Sequence, residues 1–257
     1  MAGAEPRRPR NAEREVEYPL SRRLVAEALG TFALVFVAAG GGATAELANG
    51  RIGSAARAVA PALMVGALVY SIGDVSGAHF NPVVTLAFAL KRLFPGRLVP
   101  GYWLAQFVGA TLASIVLVAL FGAAASKGVS TPHVDPAIAL VLEVILSALL
   151  LTVILGTADR AHVVGPNAAL AVAATISLAG LIAGPIEGAS MNPVRSLAPA
   201  VVTGDLGSVW IYLIGPTLGG LTALGINVFL HGLHATDQAA RDKARGEIEL
   251  SRRRRLG

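Results

Sequence analysis

Long apolar stretches, nearly free of charge, alternate with short polar segments along most of the chain. Six of these stretches are about 20 residues long and contain no Lys or Arg. A helix of that length covers the roughly 30 Å of hydrocarbon in a bilayer, so each stretch is predicted to cross a membrane. The six are Leu24–Gly42, Ala58–Ser76, Leu98–Gly122, Ala137–Thr157, Val163–Gly184 and Val209–Leu230.

Two further apolar stretches, Pro82–Leu90 and Pro193–Val202, are too short to cross. At a rise of about 1.5 Å per residue, each covers about half of the hydrocarbon core. We expect each to dip into the membrane and to end near its midplane. The predicted fold class is an all-α membrane protein with six transmembrane helices plus two half-membrane re-entrant helices.

Composition supports a membrane protein and excludes other classes. Only 14% of the 257 residues are charged and the mean hydropathy is +0.64, whereas soluble proteins carry about a quarter charged residues. The absence of Cys excludes a secreted module built on disulfides. The net charge of +5 would favour nucleic acid in a soluble protein, but the basic residues cluster at the chain ends. We therefore expect contact with the lipid bilayer and no nucleic acid.

The distribution of basic residues predicts the orientation. Of the 21 Lys and Arg residues, 17 fall on the side that holds both chain ends. Because cytoplasmic loops carry the excess of Lys and Arg, both termini are predicted to be cytoplasmic, in a multi-pass protein of the plasma (inner) membrane. The polar segments 1–20 and 235–257 are expected to be disordered tails around a membrane domain of residues 21–234.

A short string occurs twice, once before each half-length stretch. Gly77–Val83 reads Gly-Ala-His-Phe-Asn-Pro-Val, and Gly188–Val194 reads Gly-Ala-Ser-Met-Asn-Pro-Val, which is identical at five of seven positions. With three spans and one half-helix in each copy, the second half must insert upside down. The predicted repeat halves are about 21–125 and 126–234. Inverted repeats with broken helices are typical of transporters and channels.

The paired Asn-Pro motifs resemble those of the aquaporin, or major intrinsic protein, family, and the resemblance covers about residues 20–232. Both copies have Val after Asn-Pro where the family usually has Ala. The resemblance implies a prokaryotic-type member that forms a homotetramer. It also implies a passive channel for water and small uncharged solutes such as glycerol, excluding ions and protons, with no cofactor.

Asn81 and Asn192 stand at helix N-cap positions, each followed by a Pro that needs no hydrogen-bond partner. Each side-chain oxygen is expected to accept a backbone N–H two or three residues further on, which leaves the amide NH₂ as a donor in the pore. The residues before each cap are expected to be extended, so that their carbonyls line the pore as acceptors. These pore-loop residues are Gly77, Ala78, His79, Gly188, Ala189 and Ser190.

Glu27 and Glu143 lie inside the first span of each half. Their matching positions favour buried acceptors that hold the N–H groups of the two loops. The alternative is a proton-coupling acid of a secondary transporter, because an intramembrane carboxylate is a functional candidate by default.

The family resemblance also implies which positions form the selectivity constriction of the pore. Water-selective members of the family have an aromatic residue and a His there, and this sequence has neither. The second-helix position of the constriction falls on Pro61, or on Ala62 if the alignment shifts by one residue. Three small side chains leave room for glycerol, urea or an undissociated metalloid acid. The alternative is a strictly water-selective pore, if Phe32 or Tyr70 fills the gap. The constriction residues are Arg195, Ala189, Gly180 and Pro61.

No enzyme motif accompanies these features. Neither His-Glu-x-x-His nor Gly-x-Ser-x-Gly occurs, so we expect no catalysis and no metal site. The five His residues are scattered, at positions 79, 133, 162, 231 and 234.

Overall fold

The computed structural model describes residues 18–159 and 164–233 together with Arg245. Most of the two predicted tails and Arg160 lie outside these residues. The described ranges contain eight α-helices and three short 3₁₀ segments, Gly96–Leu98, Gly122–Gly128 and Gly165–Asn167. The helices are α1 (Leu20–Leu47), α2 (Ser54–Ser76), α3 (Pro82–Leu90), α4 (Val99–Phe121), α5 (Pro136–Asp159), α6 (Ala168–Glu187), α7 (Pro193–Thr203) and α8 (Val209–His231).

Six helices are long and apolar enough to cross a membrane, and α3 and α7 have only 9 and 11 residues. The predicted fold class is therefore confirmed: the chain is a multi-pass membrane protein with six spans. Helix ends differ from the hydropathy limits where helices extend beyond the apolar stretch, as α1 does at both ends. The fifth span begins later than predicted, at Ala168, because Gly165–Asn167 forms a 3₁₀ turn.

Helix packing follows the internal repeat. Helix α1 packs most extensively on α4, its counterpart α5 packs on α8, and α2 packs on α6. A Cβ at Gly109 would overlap the backbone of Ala28, and a Cβ at Gly219 would overlap the backbone of Val144. Ala28 and Val144 each follow the buried Glu of their repeat, so the same close contact occurs twice. Small residues at such positions let membrane helices approach closely.

The cytoplasm-facing end of α3, as the predicted topology orients it, is tied to the other repeat by a buried ion pair. Lys91, only 1% exposed, bonds both carboxylate oxygens of Asp159 at the end of α5 and the side chain of Asn227 on α8. Asn227 also donates to Asp159 at 3.0 Å. A buried pair of this kind is expensive to break from one side, because it leaves an uncompensated charge. The C-terminal end of the first half-helix is therefore anchored to the second half of the chain.

Candidate functional site

Both half-helices begin at the predicted Asn caps. The backbone N–H of Val83 donates to Asn81 Oδ1 at 2.9 Å, and that of Val194 donates to Asn192 Oδ1 at 3.2 Å. A Pro follows each Asn at the first helical position. The predicted cap hydrogen bonds are confirmed, and each one fixes the amide plane of its Asn.

The two caps are also bonded across the repeat. Asn81 Nδ2 donates to the carbonyl of Met191 at 2.8 Å, and Asn192 Nδ2 donates to the carbonyl of Phe80 at 2.8 Å. The N-terminus of each half-helix thus faces the loop that precedes the other half-helix. An amide NH₂ has two protons, so one proton of each Asn is left for another acceptor.

The loops before the caps are not extended, so that prediction is wrong. Ala78 and Phe80 have φ values of 51° and 47°, and the equivalent Ala189 and Met191 have 44° and 53°. Residues with positive φ therefore stand on both sides of His79 in the first loop and of Ser190 in the second. Non-glycine residues in this region cost on the order of 1 kcal/mol each and persist only where the surroundings hold them.

Glu27 supplies much of that support in the first loop. Its carboxylate is fully buried and accepts the backbone N–H groups of His79 at 2.9 Å and Phe80 at 2.8 Å. Ser76 Oγ donates to it at 2.7 Å and Gln106 Nε2 at 2.8 Å. Four donors therefore converge on one carboxylate, which leaves it shielded and fixed.

Glu143 does the same for the second loop. It is fully buried and accepts the backbone N–H groups of Ser190 and, at 2.9 Å, Met191. Both carboxylates thus hold the last two loop residues before an Asn cap. The role expected from their symmetric placement matches these bonds.

A second ring of loop contacts was not foreseen from the sequence. Ser76 Oγ accepts the N–H of Ala78 at 3.2 Å, and the equivalent Glu187 accepts the N–H of Ala189 at 2.9 Å. The hydroxyl of Tyr102 donates to the carbonyl of Ser76 at 2.9 Å. The equivalent Tyr212 donates to the carbonyl of Glu187. Aligning the repeats beyond the seven-residue string would have paired Ser76 with Glu187, because each stands five residues before its Asn. The two tyrosines need a gap, since Tyr102 follows Asn81 by 21 residues and Tyr212 follows Asn192 by 20.

A cavity of about 460 Å³ runs past both caps. All six predicted pore-loop residues line it, as do Asn81 and Asn192. Thr157 and Ala158 of α5 lie on the lining at one end, and Arg57 and Asp205 lie on it toward the other. Among the residues that the structure describes, the lining includes neither Glu27 nor Glu143.

The four predicted constriction residues share this lining. Pro61 lies on the cavity, whereas the alternative Ala62 is fully buried in the packing of α2. In the described part of the chain, neither Phe32 nor Tyr70 belongs to the lining. Phe32 stacks on Phe36 with ring centroids 5.9 Å apart, and Tyr70 is 53% exposed on α2.

Gly180 also forms a helix contact. A Cβ there would lie 2.9 Å from the Cβ of Ala58 and 3.1 Å from its Cα. A larger side chain at this position would push α2 and α6 apart. The small residue at 180 thus serves both the width of the cavity and the packing of the two helices that flank it.

Arg195 extends from the first turn of α7 to the cavity, and its guanidinium donates to Ser130 Oγ. Ser130 lies in the segment between Gly122–Gly128 and α5. Nothing in the sequence connects these two residues, which are 65 positions apart. The contact could therefore be found only in the folded chain.

The chain is similar in sequence to a known family and in fold to a solved structure. A family model for the major intrinsic proteins matches residues 14–226. The chain is 45% identical over 204 residues to Aquaporin NIP1-1 of Oryza sativa subsp. japonica, covering 79% of this chain and 72% of that protein. It is 38% identical over 226 residues to Aquaporin NIP2-3 of Zea mays, covering 88% and 75%. The X-ray structure of the aquaglyceroporin from Plasmodium falciparum matches in fold, with a TM-score of 0.73 and 24% identity over 84% of this chain and 98% of that one.

Proposed function

Because the chain belongs to the major intrinsic protein family, whose members are channels and not enzymes, we propose that it conducts small uncharged solutes passively. One observation supports this proposal above all: the N-terminal caps of the two half-helices, Asn81 and Asn192, lie on the lining of the same cavity, and each bonds the loop before the other half-helix. A solute oxygen at this point meets the free amide proton of each Asn. Water, hydroxyl and carbonyl oxygens are acceptors of the required kind.

Cations and protons are excluded by positive charge on the pore. Each half-helix N-terminus is equivalent to roughly half a positive charge, and the two face the same stretch of the cavity. Arg195 adds a full positive charge on the lining. A cation or a proton meets this positive potential in a site with little water, whereas a neutral solute does not.

The constriction favours solutes thicker than water. Pro61, Gly180 and Ala189 contribute small side chains, and Phe32 and Tyr70 do not fill the space. Arg195 supplies donors that replace part of the hydration of a polyhydroxylated molecule. We therefore favour a neutral-solute channel of the urea or undissociated metalloid-acid type that also passes water and glycerol. The similarity to proteins named aquaporins supports water among its substrates.

The surroundings of Glu27 and Glu143 do not support a proton-coupled transporter. Glu27 has four donors and Glu143 has two loop N–H groups to hold. Neither is on the cavity lining within the described ranges. A carboxylate that must take up and release protons with the substrate needs access to the substrate path.

The remaining proposals concern the setting of the channel. The excess of basic residues on one side supports cytoplasmic termini and a plasma (inner) membrane location. The membrane domain is proposed to span residues 21–234, between polar tails of 1–20 and 235–257. A homotetramer is proposed from family membership. The prokaryotic type stays a prediction, because the relatives reported above are plant proteins.

Stopped-flow light scattering on proteoliposomes tests the function. Osmotic shock with sucrose measures water efflux, and shocks with glycerol, urea or boric acid measure reswelling as each solute enters. We expect water, glycerol and at least one of the other two to exceed the rates of empty liposomes. Water flux alone would establish the strictly water-selective alternative, and rates equal to empty liposomes would refute the channel. Uphill accumulation driven by a proton gradient would support the transporter.

A further inference from the structure

Three buried serine hydroxyls form a continuous hydrogen-bonded chain that ends at Arg195. Ser130 Oγ lies 2.6 Å from Ser196 Oγ, which lies 2.6 Å from Ser190 Oγ. Ser190 in turn donates to the backbone carbonyl of Asn192 at 2.9 Å. At its other end, the chain meets Arg195, whose guanidinium donates to Ser130.

The two ends of this chain decide the direction of every hydrogen bond in it. A guanidinium has only donors, so Ser130 must accept from Arg195. A carbonyl can only accept, so the hydroxyl of Ser190 must donate its proton to the backbone carbonyl of Asn192. Ser196 then donates to Ser190, and Ser130 donates to Ser196. All four bonds run from the cation to the cap at the midplane, and such aligned bonds polarise and strengthen one another.

The three serines are largely buried, although Ser130 and Ser190 also lie on the cavity lining. The exposed fractions of Ser130, Ser190 and Ser196 are 4%, 6% and 1%. Ser190 is also held by Glu143 through its backbone N–H. The hydrogen bonds of the three serines therefore connect a fixed loop to Arg195, the one long, flexible side chain among the four constriction residues.

We propose that Ser130, Ser196 and Ser190 are positioning residues that hold the guanidinium of Arg195 against the wall and thereby set which neutral solutes pass. The inference rests on the proposed channel function. An Arg195 released from Ser130 can extend across the cavity, and it then obstructs a wide solute more than it obstructs water. Solute preference should therefore depend on these hydroxyls through the position of Arg195, including that of Ser196, which lies off the described cavity lining.

The test measures glycerol and water permeability in proteoliposomes, each after subtraction of the value for empty liposomes. The ratio of the two does not depend on the amount of protein reconstituted. Ser130→Ala should lower this ratio by about fivefold, the effect of one hydrogen bond. Ser196→Ala should lower it less, because the bond from Arg195 to Ser130 remains. The double variant should match Ser130→Ala, since both changes interrupt the same chain.

Ser114→Ala is the matched control. Ser114 is also buried, but its hydroxyl donates to Ala110 of its own helix at 2.8 Å. An unchanged ratio in Ser130→Ala, or an equal shift in Ser114→Ala, would overturn the proposal. So would failure of both chain variants to assemble beside a normal Ser114→Ala, because the serines would then serve folding and not selectivity. A wild-type protein without flux would instead refute the channel function itself.

Discussion

Replacing Asn81 by Ala removes two hydrogen bonds at the centre of the molecule. The cap bond to Val83, at 2.9 Å, is worth about 1 kcal/mol. The bond across the repeat to the Met191 carbonyl, at 2.8 Å, adds about 1 kcal/mol, or up to about 3 kcal/mol if that carbonyl stays unsatisfied. The expected loss is about 2–4 kcal/mol, which is a substantial part of a typical stability of about 5–15 kcal/mol.

The same change removes one donor from the solute path. If a passing hydroxyl loses one hydrogen bond worth about 1 kcal/mol, permeability should fall by about fivefold. Chemical denaturation in detergent would measure the first effect. Stopped-flow flux, normalised to the amount of Asn81→Ala protein in the vesicles, would measure the second.

Two companion variants separate the causes. Asn81→Asp keeps an oxygen for Val83 but has no amide to donate, so its flux should fall even where the cap is intact. Asn167→Ala, at an exposed position before α6 with a φ of −67° and no side-chain cap hydrogen bond, should change neither stability nor flux. An Asn81→Ala protein that unfolds at the wild-type denaturant concentration and conducts at the wild-type rate would refute both roles of Asn81. Wild-type flux in Asn81→Asp alone would exclude the donor role.

Three further predictions concern other parts of the site. The chain contains no Cys, so mercurials should leave its flux unchanged, whereas Ala189→Cys should conduct and become mercury-sensitive; a conducting variant that resists mercury would exclude Ala189 from the constriction. Pro61→Phe places a ring on the cavity lining and should lower glycerol flux more than water flux. The control Leu63→Phe, at a 63% exposed position off the described lining, should alter neither flux, and equal effects at both sites would contradict the assignment of Pro61 to the constriction. Glu27→Ala leaves four buried donors without their acceptor, at about 1–3 kcal/mol each, so size-exclusion chromatography should find no assembled protein. Exposed Glu46→Ala is the control, and a normal elution profile for Glu27→Ala would count against its role in supporting the loop.

Several features of the fold are readable without the structure because they depend on neighbouring residues. Six apolar stretches of sufficient length must become helices in a bilayer, where every backbone group needs an internal partner. The Asn-Pro caps are equally local, since Asn81 Oδ1 bonds a group only two residues away. The sequence also shows one Glu inside the first span of each half, Glu27 in the first and Glu143 in the second.

The loop conformation could not be read in this way. Extended backbone was expected before each cap, because carbonyls without helical partners were required there. The left-handed conformations of Ala78 and Phe80 are locally unfavourable. They persist beside two hydrogen bonds that Glu27, more than 50 residues away, accepts from the backbone N–H groups of His79 and Phe80. A tertiary contact thus overrides the local preference.

The sequence by itself therefore determined the number of spans, the two half-helices, their caps and the family of channels to which the chain belongs. Only the tertiary structure decided which carbonyl each Asn amide faces, since Asn81 and Met191 are 110 residues apart. It also decided that Ala58 closes against Gly180 and that Ser130 receives the guanidinium of Arg195. Hydropathy and capping act over one or two helical turns, whereas the width and chemistry of the pore arise where distant segments meet, and no local pattern records that meeting.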